Sequence, residues 1–336
     1  MIKIIKENSS EQYIEISTLS VLVPVYNSEK TIEPLVEEII VTLEPHFNNI
    51  EIILVNDGSV DSSHDYVLQV QKNNPEIVKY LRLARNFGEH NAVMCGLNYT
   101  TGECVAIIDD DFQNPPSEIL KIVGELQLGF DVVYSSYAKK RHSWFRNLGS
   151  KFNDMIATKL LIKPKDHYLS SFKAINRSLI NSIIQYKGPY PYIDGIIFRS
   201  TNNISYYICE HEDRKEGRSG YTLKKLIGLW LNMATGFSVL PLRMASILGA
   251  VISFSTILLI MFFVASSLMG GIFIKQDIPV GWTSLIIIVT FFAGIQLMVL
   301  GMIGEYLGRM YLTINSSPQY VVSESYGIES IEDMNA

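Results

Sequence analysis

The chain has 336 residues, enough for one large domain or two, and a formal net charge of −6, which excludes the basic footprint that nucleic-acid binding requires. Hydrophobic residues make up 48% of it, and the mean hydropathy of +0.18 is high for a wholly soluble protein. The excess is local: residues 244–274 and 278–304 hold no ionisable side chain, and each run exceeds the roughly 20 residues that cross a bilayer as a helix, so two membrane helices are expected. Cys95, Cys104 and Cys209 show neither CxxC nor metal spacing and read as reduced core residues. The opening stretch MIKIIKENSSEQYIE has no long apolar region, so no signal peptide is expected and the soluble part should stay in the cytoplasm.

Residues 19–25 (LSVLVPV) form a short, β-branched apolar run, the mark of a buried parallel strand. Pro24 falls at its end, where a missing N–H is tolerated. After the turn Tyr26-Asn27-Ser28, residues 29–43 carry Ile32, Leu35, Val36, Ile39, Ile40 and Leu43 on a helical stripe. A second buried strand, residues 51–55, runs into Asn56-Asp57-Gly58-Ser59, with Asp61 and Ser62 as capping types for a helix reaching about Gln71. Residues 77–83 read as a third strand, Arg85-Asn86-Phe87-Gly88 as a polar turn, and residues 90–99 as a helix ended by Thr100-Thr101-Gly102. The fourth strand is 105–108. Alternation of strands and helices with short connections predicts a doubly wound, mostly parallel α/β sheet. Ligands of such sheets sit at the carboxyl ends of the strands, where Asn27, Asp57, Arg85 and Asp109 all fall.

The fourth strand ends in Asp109, Asp110 and Asp111, with Gln113 close behind, before Pro115 and Pro116 stop it. Three adjacent like charges repel and favour a cation. On alternating strand positions Asp109 and Asp111 share a face and Asp110 looks elsewhere. Carboxylate and amide oxygens suit Mg²⁺ or Mn²⁺ better than zinc, and such an ion can hold a diphosphate. The plainer reading is a solvated acidic turn. No GxGxxG, GxxxxGK[ST], HExxH or GxSxG is present, and the six histidines are scattered.

Taken together, VPVYNSEKTI, VNDGSVDSS, LARNFGEHNAVMCG and IIDDDFQNPP, in that order, resemble family 2 glycosyltransferases of the GT-A fold, and more narrowly the membrane-bound polyprenyl-phosphate group typified by dolichol-phosphate mannose synthase and the undecaprenyl-phosphate glucosyl- and aminoarabinosyl-transferases. The likeness runs from about Leu19 to Tyr311. Asn56 and Asn114 depart from it: many relatives have Asp at the first, and Asp or His at the second. The resemblance implies that Pro24, Tyr26 and Asn27 line the nucleotide pocket, that Asp57 accepts a hydrogen bond from the base, and that Arg85 and Asp110 belong to the nucleotide-sugar site. It puts Asp109 beside ribose or metal, and a divalent ion on Asp109, Asp111 and Gln113.

Residues 130–137 continue the sheet. The basic stretch after them (Lys139, Lys140, Arg141, Arg146, with Trp144 and Phe145 between) suits a membrane interface. Arg141, Arg146 and Ser150 resemble the positions that grip the lipid phosphate in relatives. Near Ser171 many relatives carry an acid where this chain reads SSFK, which hints at a different sugar. Asp194, in YPYIDGII, is expected near the sugar or as a helix cap. HEDRKEGRSGY resembles the family's RxxGxSxY loop, in which Arg214 and Arg218 would neutralise the departing diphosphate while Gly217 and Gly220 let the loop move.

The expected organisation is a cytoplasmic catalytic domain over residues 1–220, an interfacial amphipathic helix over 221–241, two spans within 242–312 and a flexible tail over 313–336. Lys224, Lys225, Arg243 and Arg309 put both ends inside by the positive-inside rule. The function implied is inverting, metal-dependent transfer of a sugar, with UDP the commonest carrier among relatives, to undecaprenyl phosphate at the bacterial inner membrane, in an enzyme of a kind often homo-oligomeric. Two alternatives stand beside it: a processive polysaccharide synthase, disfavoured by the missing QxxRW, and a membrane-anchored nucleotide-sugar-binding scaffold without turnover.

Overall fold

The computed structural model describes residues 16–136, 170–209, scattered helical positions between 242 and 261, and 281–328. Two compact units divide the chain, residues 1–221 with 316–336, and residues 222–315.

The first unit is built on one mixed sheet of eight strands in the order β7-β5-β6-β4-β1-β2-β3-β8. Its parallel half contains β3 (Val78–Leu83), β2 (Asn49–Asn56), β1 (Thr18–Val25) and β4 (Cys104–Ile107). These are the four apolar runs legible in the sequence. Helices α1 (Ile32–Leu43), α2 (Ser63–Asn73) and α3 (Glu89–Leu97) connect them. Successive strand side chains point to opposite faces. Val21, Val23, Val25, Ile52 and Leu54 therefore join one core with the buried stripe of α1 and with α4 (Ser117–Leu126). Leu22 and Val55 face α3 instead, and Gly96 is what lets that helix settle on them, because a Cβ there would stand 2.1 Å from Leu22 Cδ1.

Beyond β4 the pairing changes. β6 (Lys173–Asn176) runs antiparallel to both β4 and β5 (Val132–Ser136), and β5 pairs in parallel with β7 (Ile204–Ile208). The sheet is thus more mixed than strand–helix alternation alone suggested. The consequence for the site is direct: an antiparallel β6 begins, at Ser171 and Lys173, on the same edge where β4 ends. Helices α5 (Arg177–Ile183) and α6 (Ile193–Ser200) follow β6.

The tail departs from its expected flexibility. β8 (Val322–Tyr326) closes the sheet antiparallel to β3, with Tyr80 opposite Tyr326 and Arg82 opposite Glu324. Ahead of it, the Gln319 amide donates to the Tyr186 and Gly188 carbonyls at 2.9 and 2.7 Å. Its polar sequence hides this role, because an edge strand needs only a partner's free backbone groups and half a buried face.

In the second unit, α7 (Trp282–Ile314) is 33 residues long. Among the described residues it is the one helix long and apolar enough to cross a membrane, over Phe291–Ile314. It continues past the end expected at Glu305 and Arg309, which pair within it at 2.8 Å. Between 242 and 261 the described positions are helical, with Ile247, Val251, Phe254, Leu258 and Met261 exposed. Most of the first expected span and all of the expected interfacial helix over 221–241, apart from these scattered positions, lie outside the described residues.

Candidate active site

The carboxyl ends of β1 to β4 converge, and their turns are tied to each other rather than left to solvent. Asn27 takes a left-handed backbone, φ 56°. Its N–H donates to Ser59 Oγ at 3.0 Å, and its Oδ1 accepts from the Val60 N–H at 3.0 Å. Ser28 N–H donates to Ser63 Oγ at 2.7 Å. The turn after β2 is equally pinned on its other side. Gly58 has φ +67°, and a Cβ there would lie 2.5 Å from the Arg85 and Asn86 backbone, so only glycine lets the two turns touch.

Asp57, which the resemblance assigned to the base, is buried and also holds a neighbouring turn. Both its carboxylate oxygens are taken by backbone donors, Phe87 N–H at 2.7 Å and Gly88 N–H at 2.8 Å. Burial pushes its pKa up while those two bonds hold it down. Asp57 thereby clamps the turn after β3, on which the Arg85 guanidinium lies 4.7 Å over the Phe87 ring. Tyr26 is half exposed beside Pro24 at the mouth of β1.

The three aspartates lie beyond the last residue of β4, Ile107, at the start of a turn, and each finds a different partner. Asp110 turns toward β1, accepting from the Tyr26 N–H at 3.1 Å and from the Ser28 hydroxyl. Burial, with Asp109 and Asp111 alongside, pushes it up to about 6 against those two bonds. Asp109 faces the other way and accepts the Ser171 hydroxyl at the start of β6. Asp111 is nearly buried, and its Oδ1 accepts the Gln113 N–H at 3.0 Å. Between them Phe112 is buried at φ 60°. A bulky residue in the left-handed region is strained, and such strain concentrates at functional turns.

Among the described residues no three His, Cys, Asp or Glu side chains converge into a metal cage. Asp109, Asp111 and Gln113 offer two carboxylates and an amide. That donor set fits a hard cation of the Mg²⁺ type, which keeps several waters and takes its remaining oxygens from a bound phosphate.

Asp194, expected near the sugar or as a helix cap, lies in the first turn of α6, where the N-cap residue is Tyr192. It is buried, paired with the Lys173 ammonium and accepting the Tyr134 hydroxyl at 2.9 Å. Lys173, itself buried, also sits 4.9 Å over the Tyr134 ring. The reason is β6: its antiparallel register, Ile107 opposite Lys173, carries a lysine into the sheet that needs a buried counter-charge. Arg141, Arg146, Ser150, Arg214 and Arg218 lie outside the described residues.

One residue escaped the sequence reading. Glu89 opens α3 as an exposed residue with Asp109, Lys173, Asp194 and Asp110 around its carboxyl; partial desolvation first, and the Asp109 charge second, push it up to about 7. Its neighbour His90 packs edge-on against Tyr192, ring centroids 4.9 Å apart, and burial pushes it down to about 4. The only signal available in advance was an acid at the first helical position after a strand-end turn. A mixed sheet with motif-bearing turns at one edge and a frustrated carboxylate group between them defines a phosphate-ligand enzyme site of the glycosyltransferase kind.

Comparison with known proteins gives that class its family. Glycosyl transferase family 2 matches residues 20–184. The chain is 31% identical over 318 residues to undecaprenyl-phosphate 4-deoxy-4-formamido-L-arabinose transferase of Proteus mirabilis (strain HI4320), covering 94% of this chain and 96% of that one. The protein of the same name from Serratia proteamaculans (strain 568) is 32% identical over 315 residues, 93% of this chain and 95% of that one. The chain belongs to glycosyl transferase family 2 and is a glycosyltransferase. Among solved structures, glucosyl-3-phosphoglycerate synthase of Mycobacterium tuberculosis, crystallised with Mn²⁺, UDP and phosphoglyceric acid, is 21% identical with a TM-score of 0.46, over 65% of this chain and 76% of that one. No activity follows from a likeness at that level.

Proposed function

We propose that the protein transfers a glycosyl residue from a nucleotide sugar, a UDP-sugar in the first instance, to the phosphate of a polyprenyl lipid, undecaprenyl phosphate, at the cytoplasmic face of the inner membrane. The observation that carries this reading is the Asp109–Asp111–Gln113 turn, set between the joined turns of β1 and β2 on one side and the start of β6 on the other. The acceptor is supported by the names of the relatives that match nearly the whole chain. Apolar spans keep the chain at the membrane, with both termini in the cytoplasm and the enzyme assembled as a homo-oligomer.

The nucleoside lies over β1 and β2 against Pro24, Tyr26, Asn27 and Arg85, and the diphosphate at the end of β4. A divalent cation held by Asp109, Asp111 and Gln113 supplies positive charge against the diphosphate. Asp110 and Asp57 hold the Tyr26–Ser28 and Phe87–Gly88 turns in place, and each carboxylate keeps lone pairs to accept from the donor. A lipid phosphate monoester has its second pKa near 6, so at pH 7 it is already largely dianionic and nucleophilic. Attack therefore needs no strong general base, and what the protein contributes is alignment. Arg141, Arg146 and Ser150 hold the acceptor phosphate in line behind the anomeric carbon; Arg214 and Arg218 stabilise the leaving diphosphate. Direct displacement inverts the anomeric centre. The test mixes purified protein, Mg²⁺ or Mn²⁺, a panel of nucleotide sugars and undecaprenyl phosphate. Lipid-dependent release of nucleoside diphosphate, with the product anomer opposite to the donor's by NMR, is the expected result. Nucleotide binding without release would instead establish a sensor or scaffold.

A further inference from the structure

The tail strand reaches the donor turns through a continuous set of polar contacts, buried at Asn56 and Tyr80 and half-buried at His64 and Glu324. Asn56, the last residue of β2, is 1% exposed, and its amide is used at both ends. Oδ1 accepts the Ser59 N–H at 2.8 Å, and Nδ2 donates to Tyr80 Oη at 3.1 Å. Ser59 in turn receives the Asn27 N–H through its hydroxyl, at 3.0 Å. Tyr80 is fully buried on β3. The same hydroxyl hydrogen-bonds His64 Nδ1 at 2.8 Å, which leaves the ring's Nε2 on the side of β8. That Nε2 stands 3.9 Å from Glu324 Oε2 on β8. Glu324 accepts from Arg82 Nη1 at 2.7 Å and from Tyr326 Oη at 2.9 Å. The Tyr326 ring stacks on Tyr80, centroids 5.7 Å apart and planes 10° from parallel.

We infer that β8 is a working part of the donor site: Tyr80, gripped from the tail by Tyr326 and Glu324, positions Asn56, and Asn56 positions the Ser59–Val60 turn against Asn27. The inference rests on the glycosyl-transfer reading in one respect, that these turns hold the nucleoside. Each link has a chemical direction. The Asn56 amide accepts from Ser59 and donates to Tyr80; an aspartate at position 56 would bury a charge and could meet the Tyr80 hydroxyl only as an acceptor, reversing that bond. The phenol at position 80 accepts from that amide and also bonds His64. Tyr80 and Asn56 touch no substrate; they are positioning residues, and the tail supplies the surface that keeps Tyr80 from rotating.

The discriminating variant is Tyr80→Phe, which keeps the buried ring and its stack on Tyr326 but removes the acceptor for Asn56. Steady-state kinetics on the full-length, detergent-solubilised enzyme should show the donor KM raised about fivefold, the loss expected when one buried amide goes unsatisfied, with acceptor KM and kcat within twofold. In an Asn56→Ala background the same change should add nothing to the donor KM, since the link is already cut. Tyr326→Ala should reproduce the donor effect from the tail side. A donor KM unchanged in Tyr80→Phe, with only the thermal midpoint lowered, would make the cluster purely structural and overturn the inference while leaving glycosyl transfer intact. A wild type that turns over none of the nucleotide sugars would overturn both.

Discussion

The two edges of the sheet hold carboxylates in opposite ways: Glu51 is buried, whereas Asp110 is half-buried and Glu89 exposed. At the amino edge, Glu51 on β2 is surrounded by donors: Ser20 Oγ at 2.5 Å, Lys79 Nζ at 2.6 Å, and the Thr101 and Gly102 N–H groups at 2.5 and 3.3 Å. Burial pushes its pKa up, yet the bonds from Lys79, Ser20 and Thr101 outweigh it and hold the carboxyl below its ordinary value. At the carboxyl edge, Glu89 and Asp110 face other acids and are both pushed up, to about 7 and about 6. A fully satisfied carboxylate stabilises the fold; one left among like charges stores repulsion that a cation or a ligand can relieve. The same sheet carries a satisfied acid at one end and a group of acids facing one another at the other.

Substitutions at the two edges should therefore fail differently. The largest effect belongs to Asp111→Asn, which preserves shape and removes charge: kcat should fall about a thousandfold or more, on the scale of losing a charge-stabilising group in an enzyme site, while circular dichroism and the thermal midpoint stay as in the wild type. Near-normal turnover would cancel the role given to that carboxylate. Glu51→Ala should do the reverse, costing about 3 kcal/mol of stability because Lys79, Ser20 and two backbone N–H groups lose their partner, with kcat of the folded fraction unchanged. Equilibrium denaturation with an activity assay on the same samples separates the two.

A pH experiment sharpens the contrast within the functional edge. His90 is held neutral, its folded pKa about 4 against an ordinary 6.5. Its contribution to stability is therefore present above pH 6.5 and lost as pH falls toward 4, about 3 kcal/mol in full. Glu89 works in the opposite sense, since its folded pKa lies above its ordinary value and stability grows as pH falls from about 7 toward 4.5. His90→Phe keeps the aromatic edge on Tyr192 and deletes only the first slope. Unfolding free energies of the wild type should drop relative to that variant between pH 6.5 and 4; parallel curves would show that His90 is not buried neutral. The smallest change is at Ser171→Ala, which removes the hydroxyl bonded to Asp109. The expected loss in kcat/KM is about fivefold, the weight of one hydrogen bond to a charged group, with donor preference shifted most among sugars that differ near the anomeric carbon.

Much of the parallel half was readable in advance because its information is local. An apolar β-branched run can be buried only on two faces, which is why β1 to β4 appeared within a few residues of their observed limits. Asp109, Asp110 and Asp111 were legible as an acid group at a strand end, but they lie past Ile107, where strand alternation no longer sets their directions. The clamp Asp57 makes on Phe87 and Gly88 was not legible, because those partners come from a different strand-end turn and nothing in VNDGS announces them. The pairing of Asp194 was hidden for a related cause: it is set by Lys173, whose burial depends on the antiparallel course of β6. The tail looked flexible since VSESY is too polar to declare a strand until β3 offers it an edge.

What the residues settle unaided is the chemistry in stock: buried strands, an acid-amide turn at the end of one of them, apolar runs long enough for a bilayer. Those are properties of short segments, fixed by hydrophobic period and side-chain type. Which acids bind a ligand and which merely hold the backbone, and that a strand from the far end of the chain buttresses the turn where the donor is proposed to sit, was decided only by tertiary packing. Such roles depend on the partner each group meets across hundreds of residues, and that choice is made by the sheet as a whole.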